Sequence, residues 1–211
     1  MLTKTDQEQK ERAVKRAVYI RKWLPPLFWL YIANLLTSFM KNDFVLERSP
    51  SVYLAGQILN IACVFFYGFV LLKLSKEEYR YRTAGICAVI AAAANLLVLF
   101  IYGSVVQTPW ALIITFPAAI VQLWGEYNEF DAHSFLLMGV DKALSDEWTL
   151  LWKWYVGCLL ALLVSIYIIA SNLNLGAIVT IVIALALLGV MIAKAIYLYR
   201  TAEVFKEGEG S

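Results

Sequence analysis

The hydrophobic residues of this chain are gathered into six long runs and do not follow the periodic pattern of amphipathic helices. Each run is close to the roughly 20 residues that a helix needs to cross about 30 Å of hydrocarbon. Backbone polar groups inside lipid must be satisfied within their own segment, so each run is predicted to be a helix. A soluble bundle would place polar residues at every third or fourth position. The runs cover residues 23–40, 52–73, 83–103, 109–125, 149–171 and 174–199.

The composition also favours a membrane protein. The chain has 211 residues, of which 61% are hydrophobic and 16% charged, whereas a soluble domain carries roughly 25% charged residues. A soluble fold of this size could not bury so much apolar surface. The sequence therefore predicts an all-α polytopic membrane protein. A six-helix transmembrane bundle over 23–200 follows a basic segment, 1–22, and precedes a tail, 201–211.

The distribution of lysine and arginine predicts the orientation of the bundle. Seven basic residues precede the first run and four lie in the 73–82 connection, whereas the opposite side has only Lys41 and Arg48. Short connections rich in lysine and arginine stay in the cytoplasm. Both termini are therefore expected to be cytoplasmic, in a multi-pass protein of the plasma membrane. Lys194 lies in the sixth run, and its side chain is expected to extend to the headgroups.

The connection 126–148 differs from the others because it holds six acidic residues and one lysine. Its first part is predicted to extend the fourth span as a cytoplasmic helix to about residue 138. Ser145 is the expected N-cap of the fifth span. This segment is also the predicted contact surface for a protein partner or for a second copy of the chain.

One cluster in this segment has the composition of a metal site. Glu126, Glu129 and His133 are spaced by three and four residues, which places them on one face of a helix. Two carboxylates and an imidazole can bind a divalent metal or pass protons, and Asp141 could fold back as a further ligand. The alternative is a solvated polar face on a helix that leaves the membrane. The sequence predicts no other cofactor.

A second cluster consists of amides and hydroxyls inside the apolar runs. Asn34, Asn60 and Asn95 lie at a shared depth of about 9–13 Å below the outer face, at 1.5 Å per residue. An unsatisfied amide facing lipid costs several kcal/mol, so these side chains are expected to face the interior. They either bond between helices or line a polar pocket in the outer half. The predicted pocket residues are Asn34, Gln57, Asn60, Asn95, Ser165 and Thr180.

Several classes of function find no support in the sequence. It has no Gly-rich phosphate loop, no G-x-S-x-G elbow and no H-E-x-x-H motif. The basic N-terminal segment lacks aromatic residues for base stacking in its first 18 positions, which argues against nucleic-acid binding. Cys63, Cys87 and Cys158 lie inside apolar runs and are interpreted as packing residues.

Three functions remain open at this point. The first is transport or membrane-embedded binding of a small solute through the outer polar pocket, with Pro117 as a possible hinge in the fourth span. The second is a non-catalytic accessory, immunity or regulatory protein. The third is a metal-dependent enzyme that acts on lipid through Glu126, Glu129 and His133. No deep acidic residue is expected in any span, which argues against an ion-driven pump.

Overall fold

The computed structural model describes residues 4–102 and 109–207, and side chains within 14–101 and 111–206. The described part of the chain is all-α. Its seven helices are α1 (Lys4–Phe39), α2 (Asp43–Arg48), α3 (Pro50–Leu74), α4 (Arg80–Tyr102), α5 (Pro109–Leu137), α6 (Lys142–Ser171) and α7 (Leu173–Glu207).

Four of these helices are long and apolar enough to cross a membrane. They are Pro50–Leu74, Arg80–Ile101, Lys142–Ser171 and Leu173–Lys206. Helices α1 and α5 are as long, but prolines, tryptophans and amides interrupt their apolar parts and lower their hydropathy. The structure thus confirms an all-α protein with four candidate spans, and six crossings remain a prediction.

Helix α1 joins two segments that were expected to be separate. The basic segment and the first apolar run form one continuous helix, so Pro25 and Pro26 lie in its interior and not in its first turns. The end of the basic segment packs against the α3–α4 connection. There Arg16 Nε lies 3.5 Å from a carboxylate oxygen of Glu77, and the Tyr19 hydroxyl donates to the Lys73 carbonyl.

The helix borders around 138–145 also differ from the prediction. Helix α5 continues to Leu137 as expected, but α6 already begins at Lys142. Its N-cap is Asp141, whose carboxylate accepts a hydrogen bond from the Leu144 amide at 3.0 Å. Ser145 is therefore not the cap. Asp141 is used for capping, a role that its short carboxylate suits, and it does not fold back towards His133.

The six long helices form a closed ring. Each packs against the next in chain order, from α1 to α3, α4, α5, α6 and α7, and α7 packs against α1. The short helix α2 packs on α3. The end of the ring that holds α2 and the α6–α7 junction is called the open end below. The end that holds connections 75–79 and 138–141 is called the packed end.

The close approach of α3 and α4 depends on two glycines. A Cβ atom at Gly68 would lie 2.9 Å from the Gly85 carbonyl oxygen, and one at Gly85 would lie 2.8 Å from that of Gly68. Only residues without a side chain permit this backbone contact. The contact fixes α3 and α4 relative to each other next to Tyr67, which belongs to the site described below.

The core is unevenly distributed along the ring. Among the described side chains, the large ones that are fully buried all lie towards the packed end, and they come from all six long helices. They are Ile20, Leu24, Leu27, Leu71, Leu74, Tyr81, His133, Leu137, Leu144, Trp148, Leu198 and Thr201. The packed end is therefore filled by side chains, while the cavities lie between this layer and the open end.

Candidate functional site

A buried ion pair lies in the interior of the ring. Lys194 of α7 and Glu129 of α5 are 7% and 3% exposed, and Lys194 Nζ lies 2.9 Å from Glu129 Oε1. The Tyr67 hydroxyl of α3 donates a hydrogen bond to the same carboxylate oxygen. Tyr67 lies seven residues before the end of α3, which places the pair about 10 Å inside that end. The expectation that Lys194 extends to the headgroups is wrong.

Aromatic rings surround the ammonium group of Lys194. Its Nζ atom lies 5.1 Å from the ring centroid of Tyr31, 5.9 Å from that of Tyr67 and 4.9 Å from that of Phe130. Aromatic faces attract a cation, and the attraction is stronger where water is excluded. These contacts compensate part of the cost of removing the lysine from water.

His133 lies next to the ion pair, on the side towards the packed end. It is fully buried, and its Nδ1 atom shares a hydrogen bond of 2.8 Å with the Tyr81 hydroxyl. Trp148 stacks on the imidazole with ring centroids 4.4 Å apart, and its Nε1 donates to Thr201 Oγ1 at 3.1 Å. The imidazole is thus held between a hydroxyl and an indole.

The predicted metal residues share one inward face, but they are used differently. Glu129 pairs with Lys194, and its Oε1 atom is 3.9 Å from His133 Nε2. Glu126 accepts a hydrogen bond from Gln122 at 3.3 Å. Within the described residues, no three His, Cys, Asp or Glu side chains come close enough to hold a metal ion. The alternative of a solvated face is wrong for Glu129 and His133, because both are buried.

The same segment is mostly occupied by contacts within the chain. Phe130, Leu136, Leu144 and Trp148 are part of the hydrophobic core. A partner surface in 126–148 stays a prediction, and Met138 and Val140 are among its exposed apolar residues.

A large cavity, called the Lys194 cavity below, adjoins the ion pair. It consists of a volume of about 670 Å³ between α1, α5, α6 and α7 and a volume of about 70 Å³ next to α3 and α4. The two volumes share five lining residues, namely Tyr31, Asn34, Gln122, Glu126 and Lys194. Most of the remaining lining is aliphatic, from α1 and α7. The cavity therefore has a charged floor and apolar walls.

A second cavity of about 210 Å³, called the Lys41 cavity below, lies nearer the open end. Three of the predicted pocket residues, Gln57, Asn60 and Asn95, line it together with Lys41 and Thr115. Lys41 follows the end of α1, and its Nζ donates to Asn60 Oδ1 at 2.6 Å. Partial burial lowers the pKa of the Lys41 ammonium.

Each cavity is lined by one of two amides that are hydrogen-bonded to each other. Asn60 Nδ2 donates to Asn34 Oδ1 at 2.6 Å, and Thr37 Oγ1 lies 3.2 Å from the same nitrogen. Asn60 lines the Lys41 cavity, whereas Asn34 lines the Lys194 cavity. The Asn34–Asn60 hydrogen bond therefore lies between them. This contact agrees with the similar depth in the membrane that the sequence predicts for Asn34 and Asn60.

Ser165 and Thr180 do not join the other predicted pocket residues. Thr180 Oγ1 lies 3.2 Å from Ser165 Oγ, and each hydroxyl also bonds to a backbone carbonyl of its own helix. Neither residue lines either cavity. They link α6 to α7, the structural alternative considered for the whole set.

Sequence reasoning missed the central residue of the site. Lys194 is the only charged residue in 174–199, and an ionisable residue inside a span marks a functional site by default. Its closeness to the end of the run favoured a side chain that reaches the headgroups. The sequence therefore indicated that Lys194 belongs to a site, but it does not show which helix the Lys194 side chain faces.

Comparison with known proteins adds no family to this geometry. No family model, no curated protein and no solved structure matches the chain. A function has to be argued from the site itself.

Proposed function

We propose that this chain is a six-span transporter that binds a small solute in its interior and passes it across the plasma membrane. Helices α1 and α5 cross together with the four strongly apolar helices, because they complete the same ring. Both termini are cytoplasmic in this proposal, so the packed end faces the cytoplasm and the open end faces outward.

One observation carries the proposal: one ring of helices holds two cavities, and the Asn34–Asn60 hydrogen bond joins a residue that lines one cavity to a residue that lines the other. A solute that enters the Lys41 cavity would have to separate Asn34 from Asn60 to reach the Lys194 cavity. Asn60 Nδ2 also lies within hydrogen-bond distance of Thr37 Oγ1 and Ser38 Oγ, so opening this route breaks several contacts between α1 and α3. Each hydrogen bond of this kind contributes only about 0.6 kcal/mol on average in a membrane protein.

The packed end forms the closed barrier on the cytoplasmic side of the proposed route. The layer of fully buried side chains closes the route between the Lys194 cavity and the cytoplasm. Transport requires this layer to separate while the open end closes, which is the alternating access of small transporters. Pro117 lies inside α5, where the missing N–H weakens the helix and provides a hinge.

Accessibility of single cysteines tests this proposal in sealed vesicles of known orientation. Cys63, Cys87 and Cys158 are first replaced by alanine. Thr115→Cys then reports on the Lys41 cavity and Gln122→Cys on the Lys194 cavity. We expect a membrane-impermeant thiol reagent to label Thr115→Cys from the outer face alone. It should label Gln122→Cys from either face, because alternating access opens the Lys194 cavity to each side in turn.

The matched control is Leu163→Cys, which replaces a side chain on α6 that is 65% exposed and faces away from the cavities. A thiol in lipid does not ionise and should not react from either side. Labelling of Gln122→Cys from one face only, or from neither, would contradict transport.

A further inference from the structure

We propose that the Lys41 cavity is a binding site for a small oxyanion, with a carboxylate as the best fit. This inference names the chemical class of the solute and rests on the proposed function only for the transport step. Binding itself needs nothing but the cavity and its lining residues.

The charge of the cavity is the first argument. Among the described residues, no carboxylate lies within 4.0 Å of Lys41 Nζ, and burial alone accounts for its lowered pKa. The nearest acidic residues in the sequence are Asp43 and Glu47 on α2, while connection 103–108 has no charged residue. Burying a cation without an anion is costly. An anion in the cavity would remove this cost.

The hydrogen-bonding groups of the lining are the second argument. In the described part of the chain, the side-chain amides of Gln57 and Asn95 form no hydrogen bond with another residue, although both line the cavity. Lys41 uses only one of its three N–H groups, on Asn60. Two ammonium N–H groups and two amide NH₂ groups are thus left for a ligand. A carboxylate, which only accepts hydrogen bonds, matches these donors.

Size is the third argument. A volume of about 210 Å³ far exceeds the roughly 10–15 Å³ that a single water needs. That space accommodates a carboxylate on a short carbon chain or an inorganic phosphate.

The Lys194 cavity has the opposite electrostatic character, which makes the assignment to the Lys41 cavity specific. Its lysine is already paired with Glu129, and Glu126 adds a second carboxyl group to the same lining. An anion would therefore bind more weakly there than beside Lys41, and in the proposed transport it only passes through the Lys194 cavity. Of the two cavities, only the one that contains Lys41 offers a positive charge without an acidic partner among the described residues.

Thermal unfolding of the purified full-length protein in detergent tests the inference. The probes are sodium acetate, sodium succinate and sodium phosphate, each compared with sodium chloride at equal ionic strength. We expect at least one oxyanion to raise Tm in a saturable way. Lys41→Gln should weaken the apparent affinity by about tenfold or more, since a hydrogen bond to a charged group is lost. Lys41→Arg should retain part of the response.

Two further variants separate binding from folding. Lys76→Gln removes an exposed lysine at the packed end and should leave the response unchanged. Asn60→Asp keeps the size of the side chain but places a carboxylate against Lys41, so it should abolish anion binding. Equal responses to the oxyanions in wild type, Lys41→Gln and Asn60→Asp would overturn the inference.

A phosphate group could also come from a lipid, so a second arm uses nanodiscs of phosphatidylcholine with and without phosphatidylglycerol. A response to the soluble anions supports a solute site. A shift with phosphatidylglycerol but with none of the soluble anions would overturn it. Because binding is measured without transport, a normal anion response alongside failed two-sided labelling of Gln122→Cys would contradict the transporter and leave the site intact.

Discussion

Replacing Lys194 with methionine is expected to destabilise the protein by about 3–5 kcal/mol, because Glu129 is then left as a buried charge without its partner. The measurement is the free energy of unfolding from SDS titration in mixed micelles, followed by tryptophan fluorescence. Lys153→Met provides the matched control, since Lys153 is an exposed lysine on α6. The control variant should stay within about 0.5 kcal/mol of the wild type.

The double variant Glu129→Gln with Lys194→Met sharpens this test. Both charges are then absent, and the Tyr67 hydroxyl can still donate to the carbonyl oxygen of the introduced amide. Replacing a buried pair with neutral groups is often close to neutral in stability, so the double variant should recover most of the loss. A double variant as unstable as the sum of the two single variants would show that the residues do not interact.

Replacing Trp148 with alanine is expected to cost about 3–5 kcal/mol, as for other fully buried large aromatic residues. The indole stacks on His133, packs edge-on against Phe130 and donates to Thr201. Its loss leaves a cavity in the layer that closes the packed end. Thermal unfolding monitored by circular dichroism measures the effect.

Trp154→Ala is the control for this change, because Trp154 lies on the same helix and is 62% exposed. It should shift the midpoint little. Trp148→Phe should fall between the two, since it keeps most of the packing and loses the hydrogen bond to Thr201. Equal shifts for Trp148→Ala and Trp154→Ala would contradict a closed packed end.

Much of the fold could be predicted because it depends on local properties of the chain. The length and the lack of charge of the apolar runs predict where helices lie, and α3 differs from its predicted range by only a few residues. Helix borders were less predictable. Asp141 and Ser145 are both good N-cap residues; in the structure Asp141 caps α6, while the Ser145 hydroxyl donates to the Ser134 carbonyl oxygen of α5.

The site was predicted only in part, because its contacts depend on how helices distant in sequence are rotated. Depth placed Asn34 and Asn60 at one level, and their side chains are hydrogen-bonded to each other in the structure. Depth could not show that Ser165 and Thr180 lie apart from the other predicted pocket residues and bond to each other instead. Lys194 and Glu129 can pair only because α5 and α7 are both rotated so that these two side chains face the interior of the ring. No local sequence pattern encodes the rotation of a helix about its own axis.

All six long helices cross the bilayer in the proposed topology, and labelling of single cysteines from outside intact cells tests each crossing. In the cysteine-free background, the cysteines replace Ser51 and Asn172 at the open end and Lys15, Lys76, Gly139 and Lys206 at the packed end. An impermeant thiol reagent should label the two open-end cysteines on intact cells, and the four packed-end cysteines only after the cells are made permeable. Labelling of any packed-end cysteine on intact cells, or protection of Ser51→Cys or Asn172→Cys, would contradict six crossings with both termini in the cytoplasm.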